Sequence, residues 1–167
     1  LQFIIVDDHK MLSAGLSSFL TAKFPESKIA GIFENAPSCL KSVENIASSN
    51  SNCNAVAIVD LNLGGSYSFP LIKKLSELKI KVIVYTMYES SVFAMKALEC
   101  GALSYVSKGG NETDLVTAVN SILDGKTFIT AGSFSSVMQL LSMFTAKEKS
   151  VAEYLLQGKD NGEIAEL

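Results

Sequence analysis

The sequence predicts an α/β fold: an open sheet of five parallel strands covered by helices on both faces, followed by a partial all-α segment. Two observations carry this. Apolar runs of strand length alternate strictly with stretches whose apolar residues recur at helical spacing, and five such units succeed one another before residue 125. Parallel strands need crossover helices, and a sheet connected that way is buried on both faces.

The first unit is Phe3-Ile-Ile-Val6, a short apolar run that stops at Asp7-Asp8, followed by Leu12, Leu16, Phe19 and Leu20 at helical spacing. Lys28 to Phe33, then Leu40, Val43 and Ile46, form the second. In the third, Ala55 to Asp60 precede Leu71, Ile72 and Leu75, and Pro70 falls where a first helical turn tolerates it. Lys81 to Thr86 with Val92, Met95 and Leu98 make the fourth. The fifth comprises Ala102 to Val106, a Gly109-Gly110 turn, and a helix from Glu112 to Leu123 with Asn111 at its N-cap.

A chain of 167 residues holds one well-cored domain and an appendage, and 48% hydrophobic with 19% charged residues argues against disorder. The longest apolar stretches, Phe3 to Val6 and Ala55 to Val59, are far too short to span a bilayer. The N-terminus opens straight into a strand pattern, without the charged and hydrophobic regions of a signal peptide. A cytoplasmic location with no membrane partner is expected. Cys39, Cys53 and Cys100 are odd in number and lack metal-ligand spacing, so reduced thiols are expected. The net charge is -3 and all fourteen basic residues are lysines. Without arginine there is no planar fork for phosphate or guanine, so any DNA contact must come mainly from beyond these residues.

Ligands of open α/β sheets bind beyond the carboxyl ends of the strands. Asp7, Asp8, Asp60, Thr86 and Lys108 fall at or just past the ends of strands one, three, four and five, so they converge on one rim. The stretch Ser48 to Asn54 lies at the opposite pole and reads as a solvated loop. Alone, each rim residue has an ordinary explanation. Adjacent acids cap a helix, Asp60 forms a turn, Thr86 suits a strand and caps the next helix, and Lys108 is a solvated lysine. Together they point to chemistry. Three crowded carboxylates repel one another, and a hard divalent cation relieves this, with Mg2+ favoured where a phosphoryl group completes the octahedron.

The segments Val6-Asp7-Asp8-His9, Val59-Asp60-Leu61, Val84-Tyr85-Thr86-Met87 and Gly101-Ala102-Leu103-Ser104-Tyr105-Val106-Ser107-Lys108 resemble, in order and spacing, the receiver domain of two-component response regulators. The resemblance covers roughly the first 125 residues, and four motifs in register are far more specific than one. It implies a flavodoxin-like sheet of strand order 2-1-3-4-5 over residues 1-124. It also implies that Asp60 is the phosphoacceptor, attacking the phosphoryl group carried by a sensor histidine kinase. Asp8, Asp60 and the backbone carbonyl of Asn62 would hold Mg2+, with Asp7 acting through a metal-bound water. Lys108 would pair with Asp60 beforehand and neutralise phosphoryl oxygens afterwards, while Thr86 would donate its hydroxyl to the new phosphate.

Tyr105 matches the switch aromatic that turns inward as the threonine moves, and would otherwise be a half-buried strand residue; the signal would spread to the face of the fourth helix, fifth strand and fifth helix. Apart from gain and loss of phosphate on Asp60, no turnover is implied. His9, the single histidine, reads as a helix-start residue. The family's Pro-Gly and Asp-Gly after the phosphoacceptor appear here as Leu63-Gly64-Gly65-Ser66-Tyr67-Ser68, which implies a more flexible loop over the site. Asn62 and Tyr88, each two residues past a site residue, are expected to modulate access of water to the aspartyl phosphate.

Beyond Gly125 the pattern changes. A connector, 125-144, leads to Thr145-Ala-Lys-Glu148, a capping box ahead of Val151, Ala152, Leu155 and Leu156, with Gly158 as a stop. Residues 145-167 resemble the start of the helix-turn-helix domain of NarL/FixJ (LuxR-type) regulators, with the recognition helix lying beyond Leu167. With three lysines against five acids, Thr145 to Leu167 should not bind DNA well alone, so DNA is a partner of the full-length output domain. A homodimer is a further candidate assembly. Two rivals stand beside this reading. An α/β hydrolase or phosphatase lacks its nucleophile elbow, Walker loop or dinucleotide fingerprint here. A receiver-like interaction module independent of phosphorylation is left open by the altered loop after Asp60.

Overall fold

The computed structural model describes residues 1–49 and 54–130. Cys53, the remainder of the connector and the capping-box segment lie outside the described residues. The elements are β1 (Gln2–Val6), α1 (Lys10–Lys23), β2 (Lys28–Phe33), α2 (Ala36–Ser49), β3 (Ala55–Val59), β4 (Asn62–Leu63), β5 (Ser66–Tyr67), α3 (Phe69–Glu77), β6 (Lys81–Thr86), α4 (Ser91–Glu99), β7 (Ser104–Ser107), α5 (Glu112–Leu123) and β8 (Phe128–Ile129).

The main sheet runs β2-β1-β3-β6-β7-β8, all parallel. Its first five members are the five expected strands in the expected order. The sixth is new. Phe128–Ile129, assigned from sequence to the connector, pair with Ser104 and Tyr105 of β7. The Phe128 N–H donates to Ser104 Oγ at 3.3 Å and the Thr130 N–H to the Tyr105 carbonyl at 3.1 Å. A two-residue strand has no alternation to read, which is why periodicity missed it. The second difference is at α2, which runs on through Ser48 and Ser49 where a loop was expected.

Period-two alternation sends β-strand side chains to two cores. Ile4, Val6, Ala57, Val59, Val82 and Val84 pack under α2, α3 and α4 with Leu71, Ile72, Leu75 and Ala97. Phe3, Ile5, Val56, Ile58 and Ile83 pack under α1 and α5 with Leu16, Leu20, Leu115 and Ile122. Each fully buried large aliphatic contributes about 1.5–3 kcal/mol. The central β3 is buried along its whole length, whereas edge strand β2 exposes Lys28 and Ile32. Between α4 and β7, Gly101 has φ 96°, and a Cβ there would strike the Ser76 side chain, so only glycine fits that turn. Among the described residues no helix is long and apolar enough to cross a membrane.

Candidate functional site

Two adjacent strands set the centre of the rim. β1 and β3 pair in register up to Val6 and Val59, and the Asp60 N–H donates to the Val6 carbonyl at 2.8 Å. Asp7 and Asp60, the next residue on each strand, therefore leave the sheet side by side, with side chains 3% and 8% exposed. Two buried carboxylates repel each other unless neutralised. Lys108 neutralises them: it follows β7, its N–H donates to the Thr86 carbonyl at 2.7 Å, and its Nζ lies 2.7 Å from Oδ2 of both Asp7 and Asp60. The pairing with Asp60 was expected. That with Asp7 was not, because sequence gives a residue's strand but not the reach of its side chain.

Asp8 sits higher on the rim, where its Oδ2 accepts the Gly64 N–H at 3.0 Å. Its Oδ1 is buried and has no hydrogen-bond partner among the described residues. His9 stands at the N-cap of α1, as expected, and donates its backbone N–H to Asp7 Oδ1 at 2.8 Å. Its Nδ1 is 3.0 Å from Asp8 Oδ1, near enough for charge attraction when protonated but not aligned as a hydrogen bond. Ligand atoms of Asp7, Asp8, His9 and Asp60 all lie within 4.8 Å of one another. Convergent carboxylate oxygens, one of them buried and unsatisfied, fit a hard divalent cation.

Thr86, fully buried at the end of β6, accepts the Tyr88 N–H on Oγ1 at 3.3 Å. Tyr105 is fully buried, not half-buried, and its hydroxyl donates to the Tyr88 carbonyl at 2.6 Å. Burial raises its phenol above the usual tyrosine range, and the Asp60 charge pushes the same way. The backbone of Tyr88 is thus held on both sides of its Cα, by the hydroxyls of Thr86 and Tyr105.

The segment after Asp60, where a more flexible loop was expected, folds as a hairpin. Gly64 and Gly65, at φ 60° and 86°, close a two-residue hairpin between β4 and β5. Side chains pin it: Gly64 to Asp8, Gly65 N–H to Asn62 Oδ1 at 3.0 Å, and Ser68 Oγ to the Asp60 carbonyl at 2.7 Å. Asn62 Nδ2 also donates to the Tyr88 hydroxyl at 3.3 Å. Across the rim, the Ser107 hydroxyl donates to Glu89 at 2.6 Å and accepts the Gly109 N–H at 3.1 Å, fixing the turn after Lys108. Glu89 carried no signal in the sequence, and the motifs that include Ser68 and Ser107 do not point to the hydrogen bonds they make.

The thiol of Cys39 is buried and pushed up to about 12 by burial, while that of half-buried Cys100 is raised for the same reason, so both stay protonated near neutral pH.

Comparison with known proteins agrees with this geometry. The family described as the response regulator receiver domain matches residues 3–120. Fimbriae Z protein of Escherichia coli (strain K12) is 28% identical over 119 residues, 65% of this chain and 57% of that protein, so the match spans just over half of the relative. The DNA-binding transcriptional activator EvgA of Escherichia coli (strain K12) is 23% identical over 171 residues, 98% of this chain and 80% of EvgA. Among solved structures, RcsB from Salmonella enterica serovar Typhimurium, bound to promoter rprA with the phosphomimetic BeF3-, shares the fold. Its TM-score is 0.69 at 24% identity, covering 99% of this chain and 82% of that one. With the family match spanning most of the described residues, on a sheet that carries the family's motifs at its strand ends, the chain belongs to the response regulator receiver domain family.

Proposed function

We propose that this protein is the receiver part of a two-component transcription regulator, in which Asp60 accepts a phosphoryl group from a sensor histidine kinase. The observation that carries this is the Lys108 ammonium bridging Asp60 and Asp7 at 2.7 Å on the rim. A carboxylate oxygen of Asp60 attacks phosphorus, the bond from phosphorus to the imidazole nitrogen of the donor breaks, and the electron pair stays on that nitrogen. Lys108 then follows the charge onto the phosphoryl oxygens, and the Thr86 hydroxyl donates to one of them. Positioning and charge neutralisation are all that such a transfer asks of the protein. Mg2+ would be held by Asp8, Asp60 and the backbone carbonyl of Asn62, with Asp7 acting through water, and when bound it neutralises charge on the phosphoryl oxygens.

The readout on this proposal starts at Tyr88. When the Thr86 hydroxyl turns to phosphate, the Tyr88 N–H loses its acceptor, while the Tyr88 carbonyl remains tied to Tyr105 on β7. The change therefore enters the face of α4, β7 and α5. Output is transcriptional, through the LuxR-type helix-turn-helix domain that residues 145-167 begin; the names of EvgA and promoter-bound RcsB support that reading. Its partners are the kinase, DNA through the complete output domain, and a second copy of the chain, all in the cytoplasm. Asp60 turns over no external substrate.

The test is phosphoryl incorporation from acetyl phosphate, with and without Mg2+, followed by intact mass for the parent protein and Asp60→Asn. A Mg2+-dependent adduct that disappears in Asp60→Asn is expected. An adduct persisting in Asp60→Asn, or none in the folded parent, sinks the proposal. One observation favours a second reading, a phosphorylation-independent interaction module: the segment after Asp60 carries Leu63-Gly64-Gly65-Ser66 in place of the family's Pro-Gly and Asp-Gly. Absence of any adduct would favour it.

A further inference from the structure

The β4–β5 hairpin presents Tyr67 half-exposed beside the rim. Its ring centroid lies 5.0 Å from that of Phe93, 5.8 Å from Phe69 and 6.4 Å from Tyr88, the last meeting edge-on at 69°. Tyr88 and Phe93 also meet edge-on, at 5.7 Å and 88°. The Tyr88 backbone is fixed by Thr86 and Tyr105, and its hydroxyl takes a hydrogen bond from Asn62 at 3.3 Å. Asn62 lies two residues past Asp60, and Tyr88 two past Thr86. Because β3 and β6 are neighbours, the Tyr88 side chain reaches from just past the end of β6 to Asn62, just past the end of β3. That span faces solvent, since Tyr67 and Tyr88 are 49% and 39% exposed.

We infer that Tyr67 is a positioning residue for loss of the phosphoryl group: its ring holds Tyr88 across the rim and so limits the water that reaches the aspartyl phosphate. The inference rests on the assignment of Asp60 as phosphoacceptor. In hydrolysis, a water oxygen bonds to phosphorus in line with the bond to the Asp60 oxygen, and that bond breaks. The electron pair returns to the Asp60 carboxylate, and both water protons leave on dihydrogen phosphate. The in-line water must arrive from the side opposite Asp60, the solvent side bridged by Tyr67, Tyr88 and Asn62. A ring that only packs against other rings acts through its face and edge, so its hydroxyl is dispensable.

The experiment loads the protein with acetyl phosphate and Mg2+, removes the donor, and follows loss of the adduct by intact mass in the parent, Tyr67→Ala and Tyr67→Phe, with formation rates measured in parallel. Tyr67→Ala is expected to hydrolyse roughly three- to tenfold faster, the range set by losing an aromatic contact. Its formation rate should not fall, whereas damage to the site would slow both steps. Tyr67→Phe should match the parent. Should Tyr67→Ala fail to fold by circular dichroism, Tyr67→Leu carries the same expectation. Unchanged or slower hydrolysis in the folded variant, or Tyr67→Phe behaving like Tyr67→Ala, overturns the inference while leaving Asp60 as phosphoacceptor. Absence of an adduct in the parent overturns both.

Discussion

The rim has an ionic half and an aromatic half, built by different means. Asp7, Asp60 and Lys108 meet where no side chain is more than 8% exposed, each within a residue of a strand end. Tyr67, Tyr88 and Phe93 meet closer to solvent, on a hairpin, a loop and the first turn of α4. The ionic half inherits its precision from the sheet register, which fixes neighbouring strand ends to within a hydrogen bond. The aromatic half must make its own precision from ring contacts and from the side-chain hydrogen bonds that Thr86, Tyr105 and Asn62 make to Tyr88. The first is suited to chemistry that tolerates no displacement, the second to adjusting a rate.

The contrast predicts that damage to the ionic half costs far more. Lys108→Ala leaves two buried carboxylates facing each other. Phosphoryl incorporation should fall about a hundredfold or more, and stability in urea melts without Mg2+ should drop by about 3 kcal/mol. Added Mg2+ should restore part of that loss. Unchanged stability would mean that the ionic half is not holding the rim together.

Tyr105 joins the halves, and its effect should lie between. Tyr105→Phe removes a buried hydrogen bond to the Tyr88 carbonyl, which should cost about 1 kcal/mol in the same melts. It should also change the alkaline side of the stability curve. The folded phenol is raised by burial, so the unfolded state loses its proton first. The contribution is complete below the ordinary tyrosine value of 10.0 and is lost as pH climbs beyond it. Tyr105→Phe should flatten that decline, leaving the part due to the raised thiols of Cys39 and Cys100 and to half-buried Tyr85, which is raised as well. A decline identical to the parent's would detach Tyr105 from the rim.

Asn62→Ala acts on the aromatic half and should have the smallest effect. It removes two exposed hydrogen bonds, to the Tyr88 hydroxyl and from the Gly65 N–H, while the rings of Tyr67 and Phe93 remain, so adduct loss should quicken by only about twofold. An effect rivalling that of Lys108→Ala would erase the distinction between the halves.

The same division governed what could be read from the sequence. Asp7, Asp60, Thr86 and Lys108 were legible because an apolar run fixes where its strand ends, and the β-α alternation fixes which ends share a rim. Five strands and their order followed from that alternation and the resemblance together. The Gly64-Gly65 hairpin was read as looseness, although paired positive-φ residues make a tight turn when the flanking residues pair. The neighbouring residues supplied the anchors, Asp8, Asn62 and Ser68, and none of these bonds follows from composition. The meeting of Tyr67, Tyr88 and Phe93 depends on how a hairpin and a loop come against the first turn of α4, which no periodicity encodes.

The sixth strand changes where the domain lets go of the chain. A helix after a parallel strand carries the backbone back to the pole opposite the site, so a domain ending with α5 would hand its successor over there. β8 runs parallel to β7 and returns the backbone toward the rim. At Thr130, where the described residues end, the strand points to the pole that bears Asp60, and the Thr130 N–H is bonded to the carbonyl of Tyr105. The described chain thus leaves the domain from a strand, not from a helix, hydrogen-bonded to β7, which carries Tyr105, and running parallel to it.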